Sequence, residues 1–402
     1  MSRRERLMAT LRGEPVDRPA VNFYEIGGFR IDPSDPDRFN VYNDPSWQPL
    51  LRLAEEQTDL IRLRSPVKSR SHEVTVHKSQ AVGERDEFPD TALCNMPQSR
   101  GPFEAEEYVQ NGCRFNRLTV TVGGRSMTSL MRRDPDIDTV WTVEHLLKDA
   151  EDLKAYLELP DDVFAEEVNV ADLAKEDEQL GGDGVIMVDT EDPICAAASL
   201  FSMENFTVVA LTEQKLFHRL LEKLSGHIYA RTERTAAGFE GHLWRIYGAE
   251  YATEPYLPPH LFKEYVVRYT GPMVKTIQRN GGFARIHCHG RIRGILDYIV
   301  EMGADAIDPV EPPPQGDVEL EYVRGKYGER LVLFGNLEVA DIESKESAEF
   351  EKVVEKSLRE GTSGRGRGFV LCPTSAPYGR EITPLVMANY ETMVRLASGF
   401  GL

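Results

Sequence analysis

Residues 285–314 read RIHCHGRIRGILDYIVEMGADAIDPVEPPP, and the fold is decided there. A short strand runs into His287, Cys288, His289 and Gly290. A helix follows over 292–302, and a second strand, 306–311, ends at Glu311. This is one βαβ unit. Alternate strand residues share a face, so His287 and His289 point one way and Cys288 the other. Farther on, a short apolar run at 369–373 ends in Cys372 and Pro373. Two imidazoles and a thiol suit a borderline ion such as Zn²⁺, and three protein ligands leave a fourth position open. The plain alternatives are a strand histidine bonded to backbone and a cysteine that only fills core.

Outward from this stretch the same rhythm repeats. Strand candidates lie at 20–26, 59–63, 184–189, 242–250, 284–290, 306–311, 331–335 and 369–373, with helices expected at 47–57, 143–157, 212–238, 259–279, 292–302, 347–361 and 384–398. The run GVIMVD at 184–189 is almost wholly apolar, as a parallel strand covered on both faces must be. Eight βα repeats imply an α/β protein, a (β/α)8 TIM barrel, with residues 1–402 as one domain. An open doubly wound sheet fits less well, because no GxGxxG turn follows the first strand. Residues 66–138 break the rhythm with short alternating bursts, such as 73–77 and 117–122. They read as an antiparallel β insertion after the second strand, serving as a lid over the barrel mouth or as an interface, with a homodimer as one outcome.

The chain carries 47 Lys plus Arg against 66 Asp plus Glu, a net −19. That field repels nucleic acid and anionic membranes. No apolar run approaches a membrane span, and the opening MSRRERLMATLRGEP has no signal-peptide core, so the expected place is the cytosol. Five scattered cysteines, Cys94, Cys113, Cys195, Cys288 and Cys372, are then free thiols or ligands.

The order His287-Cys288-His289-Gly290, Gly303-Ala304-Asp305-Ala306, Glu311-Pro312-Pro313, Gly335-Asn336-Leu337 and Cys372, with the opening 1–21, resembles the uroporphyrinogen decarboxylase superfamily. Its decarboxylases carry a basic, glycine-containing motif after the first strand. Here that place reads NFYEIGGFR, with Arg30 alone and an intruding Glu25. The other branch comprises zinc-dependent methyltransferases that work with a corrinoid protein and is marked by His-x-Cys-Gly and a later Cys. This chain has His287-x-His289-Gly290 and Cys372, with His in place of the first Cys.

The resemblance therefore implies a methyltransferase. It would take a methyl group from a small O-methyl donor, such as a methoxylated aromatic, and pass it to the cobalt of a corrinoid held by a partner protein. Zn²⁺ would be held by His287, His289 and Cys372, with Glu311 filling the fourth position until substrate arrives. Glu250 would accept from a ligand imidazole or give a proton to the leaving oxygen. Tyr251 and Tyr378 would line a pocket for an aromatic ring. The runner-up is a metal-independent decarboxylase of the uroporphyrinogen type, which needs guanidinium groups to pair several carboxylates. The basic stretch SGRGRG at 363–368 reads as a solvated loop or as a greeting for an acidic partner or anionic substrate.

Overall fold

A computed structural model describes residues 1–67, 102–364 and 366–401. The expected strand at 73–77 lies outside them. Chain order gives β1 (Ala20–Val21), β2 (Leu60–Arg64), β3 (Phe103–Gln110), β4 (Cys113–Val122), β5 (Arg125–Arg133), β6 (Val140–Glu144), β7 (Gly184–Glu191), β8 (Leu243–Tyr247), β9 (Phe283–His287), β10 (Ala306–Asp308), β11 (Val332–Leu337) and β12 (Phe369–Pro373). Eight of these form one parallel sheet in the order β1-β12-β11-β10-β9-β8-β7-β2. At the two ends of that order, Asp59 N–H donates to Val21 O at 2.7 Å and Asn22 Nδ2 donates to Asp59 O at 3.0 Å. The sheet thus curls into a TIM-like barrel with helices outside.

Inside, Ala20, Ile61, Leu63, Val185, Met187, Leu243, Ala306, Val332, Phe334, Val370 and Cys372 form one apolar cluster, plugged from below by Leu7 and Leu11. Those two leucines lie on α1 (Arg3–Arg12), which starts in a capping box between Ser2 and Glu5 and stops at Gly13, φ 70°. A larger apolar layer separates the strands from the outer helices.

The insertion is a four-stranded antiparallel sheet, β3-β4-β5-β6. It runs to Glu144, past the expected limit of 138. The expected helix at 143–157 is shortened to Ala150–Leu157, because Asp149 caps it by accepting from the Glu151 and Asp152 amides, while Val140–Glu144 pairs with β5. The sheet is tied to loops that leave the carboxyl ends of β1 and β12. Arg133 Nη2 donates to Phe39 O at 3.0 Å, Arg114 pairs with Asp37, and Arg380 Nε pairs with Asp136 at 3.0 Å.

Several strands end sooner than their sequence suggests. β1 stops at Val21, since Asn22 Oδ1 accepts from the Tyr24 amide at 2.8 Å and Tyr24 takes φ 58°. β10 stops at Asp308, because Pro309 has no amide for the ladder, and Glu311 lies in the loop beyond. Glu250 sits in a 3-10 turn, Ala249–Ala252, after β8. The expected helix at 259–279 is interrupted by a π turn at Lys263–Val267. Helices at Val170–Leu180, Met203–Thr212 and Leu320–Tyr327 were not anticipated.

Candidate active site

Register builds the centre of the site. Arg285 and His287 point into the barrel from β9, and His287 is the Cα partner of Asp308 on β10. The Asp308 carboxylate reaches both neighbours, with Oδ1 2.8 Å from Arg285 Nε and Oδ2 2.8 Å from His287 Nδ1. Arg285 and Asp308 are each 2% exposed. Burial would raise the Asp308 carboxyl, but the charge of Arg285 and the bond from His287 hold it down at about 2. It is therefore ionised and can only accept, so His287 carries its proton on Nδ1 and presents a bare Nε2. Burial drops His287 to about 3 despite Asp308, which keeps the ring neutral.

A second charged rung lies alongside. Arg245 on β8 pairs through Nε with Asp189 Oδ1 of β7 at 3.1 Å and donates from Nη1 to the Tyr24 hydroxyl at 2.6 Å. The Tyr24 ring stacks on His287, with centroids 5.9 Å apart and planes 15° apart. A tyrosine at φ 58° is a backbone outlier, and here the surrounding bonds enforce it.

Above these rungs stands His289. β9 has ended, so its ring no longer follows strand alternation and meets His287 edge-on, at 4.6 Å and 85°. Glu311 fixes it, since Oε1 lies 2.6 Å from His289 Nδ1 and Oε2 accepts from the Gly290 amide at 2.5 Å. Burial works against charge on both partners, but their mutual bond outweighs it. The His289 pKa is raised and that of Glu311 lowered, so the pair is ionic. The imidazolium directs its Nε2–H away from Glu311.

Three further carboxyls feel the charge of His289. Burial pushes Glu25 up to about 7, against the pull of Arg245. Burial and the nearby Glu311 push Glu338 up to about 7. Glu250 is raised chiefly by burial, and among the described residues its buried Oε2 has no hydrogen-bond partner, nor does Glu338 Oε1. Glu250 depends on Gly248, φ 112°, where a Cβ would fall 2.0 Å from the Cβ of Cys195.

The structure thus brings His287, His289 and Glu311 together, with Glu250 near enough to sense the upper imidazole. The other expected residues make different contacts. Tyr251 packs edge-on against Phe206, 6.2 Å between centroids. Tyr378 is 46% exposed and bonds Ser375 through its hydroxyl. Cys372 is 3% exposed among the interior apolar side chains, its thiol pushed up to about 12 by burial and then by the charge of Asp308. Cys288 faces the outer apolar layer.

Among the described residues, no three His, Cys, Asp or Glu side chains form a group that could hold a metal ion. Each imidazole spends Nδ1 on a carboxylate, and burial works against a thiolate at Cys372. Outer carboxylates of this kind do orient metal-binding histidines, but only the two Nε2 atoms are left facing outward. As arranged, the donors do not fit a three-ligand zinc site.

Sequence reasoning missed Asp308, Arg245, Tyr24 and Glu338. Asp189, at the end of GVIMVD, is the partner of Arg245 and caps no helix. The helix cap is Asp192, which accepts from the Cys195 amide at 2.8 Å. Among the described residues, no helix is long and apolar enough to cross a membrane.

Comparison with curated protein sequences found no match. Among solved structures, a methyltransferase from Methanosarcina mazei superposes with a TM-score of 0.59, covering 98% of each chain at 15% identity. That likeness concerns the fold. The family model described as Uroporphyrinogen decarboxylase (URO-D) matches residues 138–375, more than half of the chain, and takes in β7 to β12 with His287, His289, Asp308 and Glu311. The chain is therefore a member of the uroporphyrinogen decarboxylase (URO-D) family.

Proposed function

We propose that this chain is a methyltransferase that removes a methyl group from a small O-methyl donor at the barrel mouth. A reduced cobalt carried by a corrinoid protein would supply the electron pair that takes the methyl group. The observation that carries this reading is the acid-rich lining of the mouth. Glu25, Glu250, Glu311 and Glu338 surround a single imidazolium, His289. A porphyrinogen bearing several carboxylates would meet mostly carboxyl groups there, where its recognition calls for guanidiniums. The guanidiniums that a decarboxylase would use are committed, Arg245 to Asp189 and Tyr24, Arg285 to Asp308, and Arg30 to Glu176.

Cleaving an ether needs help for the oxygen that leaves, because alkoxide and phenoxide are poor leaving groups. His289 is placed to give that help. As the C–O bond breaks, its Nε2 proton passes to the oxygen, and the neutral alcohol or phenol departs while the methyl group goes to the acceptor. Glu311 stabilises the imidazolium beforehand, and Glu250, holding a proton, can restore it. His287, neutral and held by Asp308, supports the ring beside it. The antiparallel sheet, anchored to the mouth loops through Arg133 and Arg380, would serve as the lid.

The test is turnover of a methoxylated aromatic with cob(I)alamin, followed by the cobalt spectrum and by the demethylated product. Product that disappears in His289→Ala is expected. Release of CO2 from a carboxylated tetrapyrrole instead would overturn the proposal. Zinc is settled by elemental analysis. About one zinc per chain, lost in His289→Ala and Cys372→Ala, would establish the ion that the family resemblance implies, and a metal-free active protein would leave the acid role to His289.

A further inference from the structure

We propose a second binding site, for a phosphate-bearing small molecule, at the opposite end of the barrel. A cavity of about 740 Å³ opens where the chain enters β1, β10, β11 and β12, between the end of α1 and the loops that precede those strands. Ligand pockets commonly span roughly 300–1,000 Å³. Three arginines line this one, Arg12, Arg330 and Arg367.

Their bonding divides the labour among them. Arg367 is structural, since Nη2 donates to Leu11 O at 2.7 Å and Nη1 to Arg330 O at 3.2 Å, while its amide donates to Gly328 O at 2.7 Å. Beside it, Gly366 lies so close that a Cβ would stand 2.5 Å from Gly328 O. Gly366 and Arg367 are thereby fastened against the Gly328 and Leu11 carbonyls as one wall of the cavity. Arg12 and Arg330 are exposed, and among the described residues neither guanidinium has a hydrogen bond or an ion pair. Two uncommitted forks facing one cavity are a natural clamp for a phosphate, whose oxygens each fork can take in pairs.

The acidic residues at the rim do not cancel this. Asp305 is occupied, with Oδ2 accepting from Gln278 and from the Ala284 amide, and Oδ1 beside Arg367. Among the described residues that leaves Glu329 as the one lining carboxylate without an internal partner, against two free guanidiniums. In a chain of net charge −19 such an excess is local and built. Val300 and Ala304 add an apolar patch on which the remainder of a phosphate ester can rest.

Isothermal titration with inorganic pyrophosphate and inorganic phosphate tests the site, at an ionic strength fixed with chloride. The expected result is saturable binding, tighter for pyrophosphate, that weakens tenfold or more in Arg12→Ala/Arg330→Ala. Both side chains are on the surface, so circular dichroism should show the variant folded. No saturable heat with the unaltered protein, or equal binding by the double variant, overturns the proposal. Because the cavity lies away from the mouth, this outcome is independent of the methyl-transfer assay.

Discussion

Asp308 is the residue whose removal the structure predicts most sharply. Among the described residues its carboxylate is the one ion-pair partner of Arg285, which is 2% exposed, and it fixes the proton of His287 on Nδ1. Asp308→Ala leaves a guanidinium buried and unpaired, a situation that costs about 3–5 kcal/mol. For 402 residues at roughly 2.1 cal/mol/K each, the entropy of unfolding is about 0.8 kcal/mol/K. The loss therefore corresponds to a fall in Tm of about 4–6 °C, measurable by scanning calorimetry. Asp308→Asn sharpens the test. An amide of the same shape must turn its NH2 toward one of two donors, and the least costly relief is for His287 to move its proton from Nδ1 to Nε2. Nitrogen-15 spectra of the imidazole would report that change of tautomer, and methyl transfer should fall with it. A Tm change under about 1 °C in Asp308→Ala, with the His287 tautomer unchanged in Asp308→Asn, would refute the reasoning.

Other outcomes follow from the same geometry. Glu311→Gln removes the charge that holds the His289 pKa up, so the imidazolium should lose its proton at lower pH. The alkaline limb of the rate profile should shift toward acid and kcat fall about tenfold to a hundredfold. With the His289 side chain 38% exposed, the cost in stability should be only about 1 kcal/mol, read from urea melts. Tyr24→Phe deletes the acceptor of Arg245 Nη1 and should cost about 1.5–3 kcal/mol, the scale of a bond to a charged group. The pH dependence of stability has a definite sign. Folding holds His287 neutral with its pKa lowered to about 3, while the unfolded chain takes up a proton near pH 6.5. Its contribution is complete above about pH 6.5 and is lost as pH falls toward 3, at up to about 1.4 kcal/mol per pH unit. Urea midpoints from pH 7 to pH 4 check this, and the slope should flatten in His287→Gln.

Much of the barrel was legible because parallel strands are written in apolar runs. GVIMVD and FVLCP became β7 and β12 with only small changes in their ends. The first strand was overestimated for a local reason. Asn22-Phe23-Tyr24 has strand composition, but the Asn22 side chain captures the Tyr24 amide and turns the chain. The histidine pair was visible from spacing alone. Its partner Asp308 was not, because the pairing arises from register between β9 and β10, a property of two strands rather than of either. Cys372 illustrates the same limit. Its place near a strand end was readable, but its depth in the apolar interior depends on how β12 is staggered against β11.

The two charged rungs, Arg245 with Asp189 and Arg285 with Asp308, also bear on how this protein can change over generations. Replacing one member of a buried ion pair is punished, whereas exchanging both for apolar side chains of similar bulk can be nearly neutral or even stabilising. Divergence at these four positions must therefore cross a valley, and related chains should hold each pair whole or lack it whole. Such covariation would trace the ancestry of the site more faithfully than the histidines themselves.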